Sequence, residues 1–220
     1  GCMTALRPRR SPTRPARRYH HGNLRTALLA AAEAELEAQG IEGFSLRGVA
    51  KRAGVSHAAP AHHFGEVNGL LTALAAEGYR RFVATQEARQ KKAAPDGLSR
   101  LIASGMGYID FAMANPALFR LMFSSDRPDR EHADLSEAAS AAFQRLVEDV
   151  RGLQGADPRE DKAAMQGVMA AWAIVHGLAD LMTSGRLKYL LEMRPREREA
   201  CLLQILGRTL ECLDTRTEQT

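Results

Sequence analysis

The first regular pattern of apolar positions lies between residues 23 and 39. Apolar side chains recur there at steps of three and four residues in an alanine-rich background, and Gly40 ends the run. This spacing places them on one face of an α-helix, because a helix completes a turn every 3.6 residues. The sequence therefore predicts an amphipathic helix with an apolar face made of Leu24, Leu28, Leu29, Ala32 and Leu36.

Two shorter helices are predicted next. Ser45 is a good N-cap for a helix that ends at Gly54. Ser56 can cap a third helix over residues 57 to 63, after which Phe64 points back to the core. Three helices thus form a small unit in the first third of the chain.

The rest of the chain shows helical spacing throughout. A long helix from about residue 66 to 90 is broken by the sequence KKAAPDG, and no alternating run of β-branched residues follows it. The later helices are predicted over residues 97–114, 116–123, 131–153, 158–184 and 196–213. We predict an all-α fold of eight or nine helices, in which a three-helix head precedes a larger helical domain.

Composition and motifs argue against several classes of protein. The three cysteines form no C-x-x-C pair, which argues against a disulfide framework or a zinc ribbon. No apolar stretch approaches the length of a membrane span, and the N-terminal arginines lack the apolar run of a secretory signal. No serine-hydrolase, zinc-protease or nucleotide-binding motif is present. We expect a soluble cytoplasmic protein that is not an enzyme and has no cofactor and no membrane partner.

The positive charge is confined to the N-terminal third. Residues 1–63 hold ten Lys and Arg against four Asp and Glu, whereas residues 64–220 hold twenty against twenty-two. Six arginines and three prolines lie in residues 1–18 with almost nothing to bury, so we predict a disordered basic arm there. Such a field suits DNA, because neutralised phosphates release counterions. Charge alone leaves a solubilising tail equally open.

The segment from residue 44 to 64, FSLRGVAKRAGVSHAAPAHHF, has the pattern of a helix-turn-helix. Gly54 tolerates the positive φ that a tight turn between two helices needs. A third helix capped by Ser56 would direct free backbone N–H groups outward, where they can meet a phosphate. Its exposed residues would enter the major groove of DNA.

This segment resembles the tetracycline-repressor (TetR/AcrR) family of regulators, whose head reads approximately T-L-R-x-V-A-x-x-A-G-V-S-x-x-A-x-Y-x-H-F-x-x-K-x-x-L. The matching residues are Ser45, Leu46, Arg47, Val49, Ala50, Ala53, Gly54, Val55, Ser56, Ala59, His63, Phe64 and Leu70. The resemblance implies that Arg47 and residues 57–62 face the groove, with Ser45, Ser56 and His63 at the DNA backbone. The expected DNA-binding residues are Ser45, Arg47, Ser56, His57, Ala58, Ala59, Ala61, His62 and His63.

Two positions depart from the family pattern. Ala61 stands where the family commonly has a phosphate-contacting tyrosine, and Val67 stands where it has a lysine. Fewer phosphate contacts predict weaker binding with a flatter salt dependence. The arginine arm is a candidate replacement, because flexible basic arms reach into the minor groove in other DNA-binding heads.

The histidines of the head invite a metal interpretation, which the spacing does not favour. On a short helix, separations of five and six residues do not place His57 on one face with His62 and His63. We expect no metal site, and we interpret His62 as a donor to the groove or to a phosphate.

The larger C-terminal region is rich in aromatic and methionine residues. They are interpreted either as plain core or as the lining of an apolar ligand cavity with a few polar anchors, and the two are compatible. The candidate ligand-binding residues are Tyr108, Phe111, Met113, Phe119, Met122, Phe123, Met169, Trp172 and His176.

Part of this region resembles one C-terminal subgroup of the same family, with the signature W-x-x-x-H-G. Trp172, His176 and Gly177 carry the signature, and the segment NPALFRLMF at 115–123 is similar to another part of that subgroup. His176 is either a hydrogen-bonded core histidine or a ligand contact, and the former is favoured.

Two apolar helices are expected to form a dimer interface. The last helix carries Leu202, Ile205, Leu206, Leu210 and Leu213, and residues 161–184 form a second apolar helix. Pairing both with their copies would give a four-helix interface about a two-fold axis. Two heads about 34 to 36 Å apart would then read a near-palindromic DNA site.

These observations combine into a function and a domain division. The leading hypothesis is a homodimeric repressor of transcription that a small apolar or amphipathic ligand releases from double-stranded DNA. The alternative is a helical dimeric interaction protein whose DNA-binding head has reduced affinity. The predicted units are the basic arm 1–18, a helix-turn-helix DNA-binding domain 19–65, a helical regulatory and dimerisation domain 66–214, and a disordered tail 215–220.

Overall fold

Ten α-helices follow one another in residues 21–214, the part of the chain that the computed structural model describes. They are α1 (His21–Gly43), α2 (Leu46–Ala53), α3 (Ala58–Phe64), α4 (Val67–Gln90), α5 (Gly97–Ala114), α6 (Pro116–Phe123), α7 (Ala133–Gln154), α8 (Lys162–Thr183), α9 (Lys188–Leu191) and α10 (Pro195–Glu211). No β-strand occurs among these residues, so the all-α prediction is confirmed. The arm predicted for residues 1–18 and the tail predicted for 215–220 lie outside the described residues.

The helices of the head begin and end close to the predicted positions. Gly40 interrupts α1 with φ 69° and ψ 179°, so the regular helix stops where the sequence predicted. Ser45 caps α2 by accepting a hydrogen bond from the Gly48 backbone N–H at 3.0 Å. Gly54 ends α2 in the left-handed conformation, with φ 67°.

The prediction that Ser56 caps the third helix was wrong. His57, not Ser56, occupies the cap position of α3, and no side chain makes a capping hydrogen bond there. Ser56 contributes only its backbone carbonyl, which accepts from the Ala59 N–H at 3.1 Å. Pro60 lies in the first turn, where its missing N–H costs nothing, and the helix continues past it.

The C-terminal helices follow the predicted order with two differences. The helix expected from about residue 158 begins at Lys162, because the Asp161 side chain caps it by accepting from the Ala164 N–H at 2.8 Å. The single turn α9 was not predicted, because four residues are too few for a periodic pattern. No helix among residues 21–214 is long and apolar enough to cross a bilayer.

The core is organised around α5. Helices α4, α6, α7, α8 and α10 all pack against it, while α1 packs against α2, α4 and α6. On α4, the buried side chains include Leu70, Leu71, Leu74, Tyr79 and Phe82. Helix α4 therefore contacts both the head and the C-terminal helices.

Candidate functional site

The exposed face of α2 and α3 contains most of the residues expected to bind DNA. The turn between the helices is closed by a hydrogen bond from the Val55 N–H to the Ala50 carbonyl at 3.1 Å. Six of the expected residues are exposed: Arg47, Ser56, His57, Ala58, Ala61 and His62. The other three are half-buried: Ser45, Ala59 and His63. This face can lie against another surface without unfolding either helix.

An ion pair with a buried carboxylate, which the sequence pattern did not indicate, holds α2 against α1. Arg52 Nε donates to Glu35 Oε2 at 2.6 Å, and Glu35 is only 5% exposed. Gly48 lies directly against the same carboxylate, where a Cβ atom would overlap it. The available signal was an acidic residue next to Leu36 on the apolar face of the first helix. The pair fixes the position of α2 within the head.

The described part of the head has no surplus of positive charge. Residues 21–63 contain four basic and four acidic residues, and Arg52 is already paired. The Arg25 guanidinium carbon lies 5.2 Å from the centroid of the Phe64 ring. Arg47 and Lys51 are therefore the exposed cations of α2 that have no ion pair among the described residues. The surplus found in residues 1–63 lies in residues 1–18.

A cavity of about 360 Å³ lies among the C-terminal helices. Its wall comes mainly from α4, α5, α7 and α8, and it holds half of the aromatic residues of the chain. These are Tyr79, Phe82, Tyr108, Phe123, Phe143 and Trp172. The volume is at the small end of the range for pockets that bind organic ligands.

The structure brings together only some of the nine candidate ligand-binding residues. Tyr108, Phe123 and Trp172 line the cavity. The other six do not line it: Phe111, Phe119 and Met122 are buried in the core, Met113 and His176 are half-buried, and Met169 is 62% exposed on α8. The difference arises because apolar periodicity marks the buried face of a helix but not the gap between two helices.

Tyr108 and His176 form a hydrogen bond beside the cavity. The Tyr108 hydroxyl lies 2.7 Å from His176 Nδ1. Burial raises the pKa of the Tyr108 phenol, against a smaller opposite effect of the Trp172 indole N–H, so the phenol stays protonated. Phe119 and Phe123 pack on the His176 ring at centroid distances of 5.6 and 5.3 Å. His176 thus supports the wall through Tyr108.

The sequence pattern also missed the polar floor of the cavity, formed by Gln86 and Ser104. Both are buried, and the Gln86 amide donates to the Ser104 carbonyl at 3.2 Å and to its hydroxyl oxygen at 3.1 Å. Behind them, Gln90 donates to Asp149 Oδ1 at 2.9 Å and accepts from Arg145 at 2.6 Å. Burial raises the pKa of Asp149, against hydrogen bonds from Gln90 and Ser104. Single polar residues in apolar helices gave no periodic signal.

Comparison with known proteins identifies the family. The profile described as "Bacterial regulatory proteins, tetR family" matches residues 28–74, and the profile "Tetracyclin repressor-like, C-terminal domain" matches residues 101–208. A structure of a protein with unknown function from Rhodococcus sp. RHA1 is 31% identical, with a TM-score of 0.71. That match covers 90% of this chain and 97% of the other. The chain belongs to the TetR family.

More distant TetR family structures share the fold. A TetR-like transcriptional regulator from Rhodococcus sp. RHA1 is 18% identical, with a TM-score of 0.57, and the match covers 91% of this chain and 98% of that one. A TetR variant from Acinetobacter baumannii AYE in complex with minocycline is 18% identical, with a TM-score of 0.53, covering 90% and 99%. A search of curated proteins gave no match.

Membership of the TetR family decides the class of function. Proteins of this family are DNA-binding regulators of transcription, not enzymes, and the match includes the helix-turn-helix head. Neither family description names the W-x-x-x-H-G subgroup, so that assignment stays a prediction.

In this TetR family member, hydrogen bonds join the cavity wall to the first turn of α4. The Tyr79 hydroxyl donates to the Met122 carbonyl at 3.3 Å, and Arg130 donates to the same oxygen at 3.0 Å. In the same connection between α6 and α7, Arg127 Nε donates to Asn68 Oδ1 at 2.8 Å. Asn68 is the second residue of α4, close to the end of α3. A displacement of Tyr79 can therefore reach the segment that carries the head.

A second link joins α1 to the same region. Arg81 on α4 donates to both carboxylate oxygens of Glu33 on α1, at 2.6 and 2.9 Å. It also donates to Asn115 Oδ1 at 2.8 Å, at the junction of α5 and α6. Paired, partly buried charges of this kind hold their geometry more firmly than exposed ones. The head is thereby tied to the corner where the aromatic segment 116–123 begins.

The leucines of α10 that we expected at a dimer interface are largely covered within one subunit. Leu202, Leu206 and Leu210 are buried within the chain, because α10 packs against α5. The large apolar side chains that do remain exposed among the described residues are Met169, Trp172, Leu181, Tyr189 and Leu203. Three of these five lie on α8, so α8 still presents an apolar surface.

Proposed function

We propose that this TetR family member is a homodimeric repressor, released from its DNA site when a small apolar molecule enters the C-terminal cavity. The observation that carries the proposal is the exposed face of α2 and α3, on which Arg47, His57 and His62 are all exposed. The predicted division at residues 64–66 fits the short connection between α3 and α4.

Several features support DNA binding by this face. Helix α3 is short and its outward residues His57, Ala58, Ala61 and His62 are exposed, so it can enter a major groove about 12 Å wide. Arg47 on α2 is placed to contact a phosphate or a guanine. The imidazole nitrogens of His57 and His62 supply further hydrogen-bond groups. Ala61 is exposed and gives no hydrogen bond where the family has tyrosine.

The exposed apolar residues support dimerisation through α8 and α10. Met169 and Trp172 are 62% and 41% exposed on α8, and Leu203 is 41% exposed on α10. Gly177 and Gly207, on the same two helices, have no atom within 4 Å of the position of an added Cβ, so a second subunit can approach closely there. A two-fold axis would bring two heads to one near-palindromic site.

The cavity supports control by a ligand. The structural relative from Acinetobacter baumannii is described in complex with minocycline, and this chain has a cavity that opens between α7 and α8. A ligand changes DNA affinity only if it binds one conformation of the protein better than the other. The Tyr79 hydroxyl donates to Met122 at the end of α6, and Arg127 in the connection after α6 donates to Asn68 on α4. These hydrogen bonds offer a route by which that difference can reach the head. Trp172 and His176 are consistent with the W-x-x-x-H-G subgroup.

Titration of the protein against its own upstream DNA tests the proposal. We expect specific binding that weakens between about 50 and 200 mM salt, because phosphate contacts release counterions. Arg47→Ala should lower the affinity by about tenfold or more through loss of one charged contact. Arg120→Ala, which removes an exposed arginine on α6, is the matched control and should leave the affinity unchanged. Equal binding by both variants would refute the proposed face.

The alternative is a dimeric interaction protein with a weak DNA-binding head. It is favoured by the balanced charge of residues 21–63 and by Ala61 and Val67, which lack the expected phosphate contacts. The same titration separates the two functions. Binding that is equal for upstream DNA and for unrelated DNA at both salt concentrations would favour the alternative.

Substitution on the α8 and α10 surfaces tests the dimer. The double variant Met169→Glu and Leu203→Glu should convert a dimer into a monomer of 24.0 kDa, because it places charge in an apolar interface. Its DNA affinity should fall by about hundredfold, since one head then binds alone. Light scattering after gel filtration measures the mass. Ala84→Glu, on an exposed face of α4, is the control and should remain dimeric.

A further inference from the structure

Among the residues that the structure describes, none of those lining the C-terminal cavity is Asp, Glu, Lys, Arg or His. The polar members of the wall are Gln86, Ser104, Ser140 and Gln144 and the two tyrosine hydroxyl groups. Charged groups lie behind the wall: Arg145 pairs with Glu87 at 2.8 Å and reaches Asp149 through Gln90, and Arg130 lies near the Tyr79 hydroxyl. A charged ligand in this cavity would lose its water and gain no counter-ion, which makes its transfer from water costly.

The aromatic rings of the wall pack on one another in stacked and edge-on arrangements. Tyr108 and Phe123 are stacked at 29° with centroids 5.8 Å apart, and Phe82 meets the Tyr108 ring edge-on at 4.8 Å. Phe143 and Trp172 pair on another part of the wall, 6.0 Å apart. Aromatic rings prefer such offset and edge-to-face neighbours, so a flat aromatic molecule can extend this packing. A volume of about 360 Å³ suits a small ring system.

One hydrogen-bond acceptor on the floor has no partner among the described residues. The Gln86 Nε2 group must face Ser104, because the Ser104 carbonyl oxygen can only accept a hydrogen bond. Gln86 Oε1 therefore points away from Ser104. The oxygen accepts no hydrogen bond from the described residues and is not sealed in the core, so a molecule in the cavity that Gln86 lines can reach it. A ligand that donates to this oxygen gains a hydrogen bond in a largely apolar site.

We propose that the cavity binds an uncharged, planar aromatic molecule of about two rings that donates one hydrogen bond to Gln86 Oε1. The inference rests on the proposed role of the cavity as the effector site. The aromatic wall supplies the apolar contact, the lack of acidic or basic side chains among its described members excludes charged ligands, and Gln86 orients the donor. Ser140, Gln144 and Trp172 are the exposed members of the wall and form its mouth.

Calorimetric titration with four naphthalene derivatives tests the proposal on the intact protein. The probes are 2-naphthol, naphthalene, 2-naphthoate and 2-naphthylmethylammonium, which share one ring system and differ in charge and donor. We expect 2-naphthol to bind about tenfold more tightly than naphthalene, the gain of one neutral hydrogen bond. Each charged probe should bind about hundredfold more weakly than 2-naphthol. Quenching of Trp172, the only tryptophan, reports binding in the cavity.

Two variants assign the donor contact. Gln86→Leu should abolish the advantage of 2-naphthol over naphthalene, because leucine fills a similar volume without an acceptor. Gln39→Leu makes the same change at an exposed position of α1, outside the cavity wall, and should keep the advantage. The probe series on the unaltered protein remains decisive if Gln86→Leu does not fold, which thermal unfolding would show.

Three results would overturn the inference: tighter binding of either charged probe, equal binding of 2-naphthol and naphthalene, or binding of none of the four. Tighter binding of the ammonium would instead indicate a cation held by the aromatic rings. Failure of this inference is distinct from failure of the proposed function. A protein that binds its upstream DNA specifically but binds none of the probes keeps the assignment as a regulator.

Discussion

Deletion of residues 1–18 should weaken binding to upstream DNA by about hundredfold and flatten its salt dependence. The described head, residues 21–63, has equal numbers of basic and acidic residues, and Arg52 is paired with Glu35. The deleted segment contains six arginines and no acidic residue. Each arginine that contacts a phosphate adds about 0.9 to the slope of log affinity against log salt, so two contacts in each subunit of a dimer would add between three and four, roughly.

The controls for this deletion separate charge from length. Replacing the six arginines of residues 1–18 by glutamine keeps the segment and should reproduce the loss. The deletion should leave thermal stability and the dimeric state unchanged, because nothing in that sequence can form a core. Unchanged affinity and slope in the deletion variant would show that the basic segment does not contact DNA. The proposal would then rest on Arg47 and Lys51 alone.

Gly107→Ala should destabilise the protein by about 3 kcal/mol and lower the melting temperature by about 10 °C. An added Cβ at Gly107 would lie 2.6 Å from Gln86 Cα, 3.0 Å from Gln86 N and 3.1 Å from the Thr85 carbonyl oxygen. All three are backbone atoms of α4, so no side chain can move aside. Helices α4 and α5, which pack closely against each other, would have to move apart.

The same substitution should also affect the cavity, because Gln86 is part of its floor. Gly152→Ala is the matched control. Gly152 is exposed within α7 and an added Cβ there meets nothing within 4 Å, so the change should be neutral or stabilise by up to about 1 kcal/mol. Differential scanning calorimetry of both variants measures the effect. Equal melting temperatures would contradict the close approach of α4 and α5.

The head could be predicted well because its signals are local. Ser45, Gly54 and Gly40 act through their own backbone conformations or through a hydrogen bond three residues away, and these depend on neighbouring sequence only. Ser56 shows that suitable local chemistry is not enough. Its side chain could cap a helix, but His57 occupies the N-cap position of α3, and no side chain makes a capping hydrogen bond there.

The sequence indicated a ligand cavity in the C-terminal region but not which residues line it. Apolar periodicity identified the buried faces of α5, α6 and α8, and the aromatic content indicated a possible ligand site. It did not distinguish Phe123, which lines the cavity, from Phe119 and Met122, which fill the core. The choice depends on where α7 and α8 leave a gap, and that gap is set by contacts between residues far apart in the chain.

Local patterns in the amino-acid sequence thus specify the helices, the helix-turn-helix and the family, because hydrophobic spacing and capping act within a few residues. Tertiary packing specifies the rest. It pairs Glu35 with Arg52, buries the leucines of α10 against α5, and turns Gln86 toward an uncharged cavity. Each of these depends on the position of a second helix, which no single segment of the sequence contains.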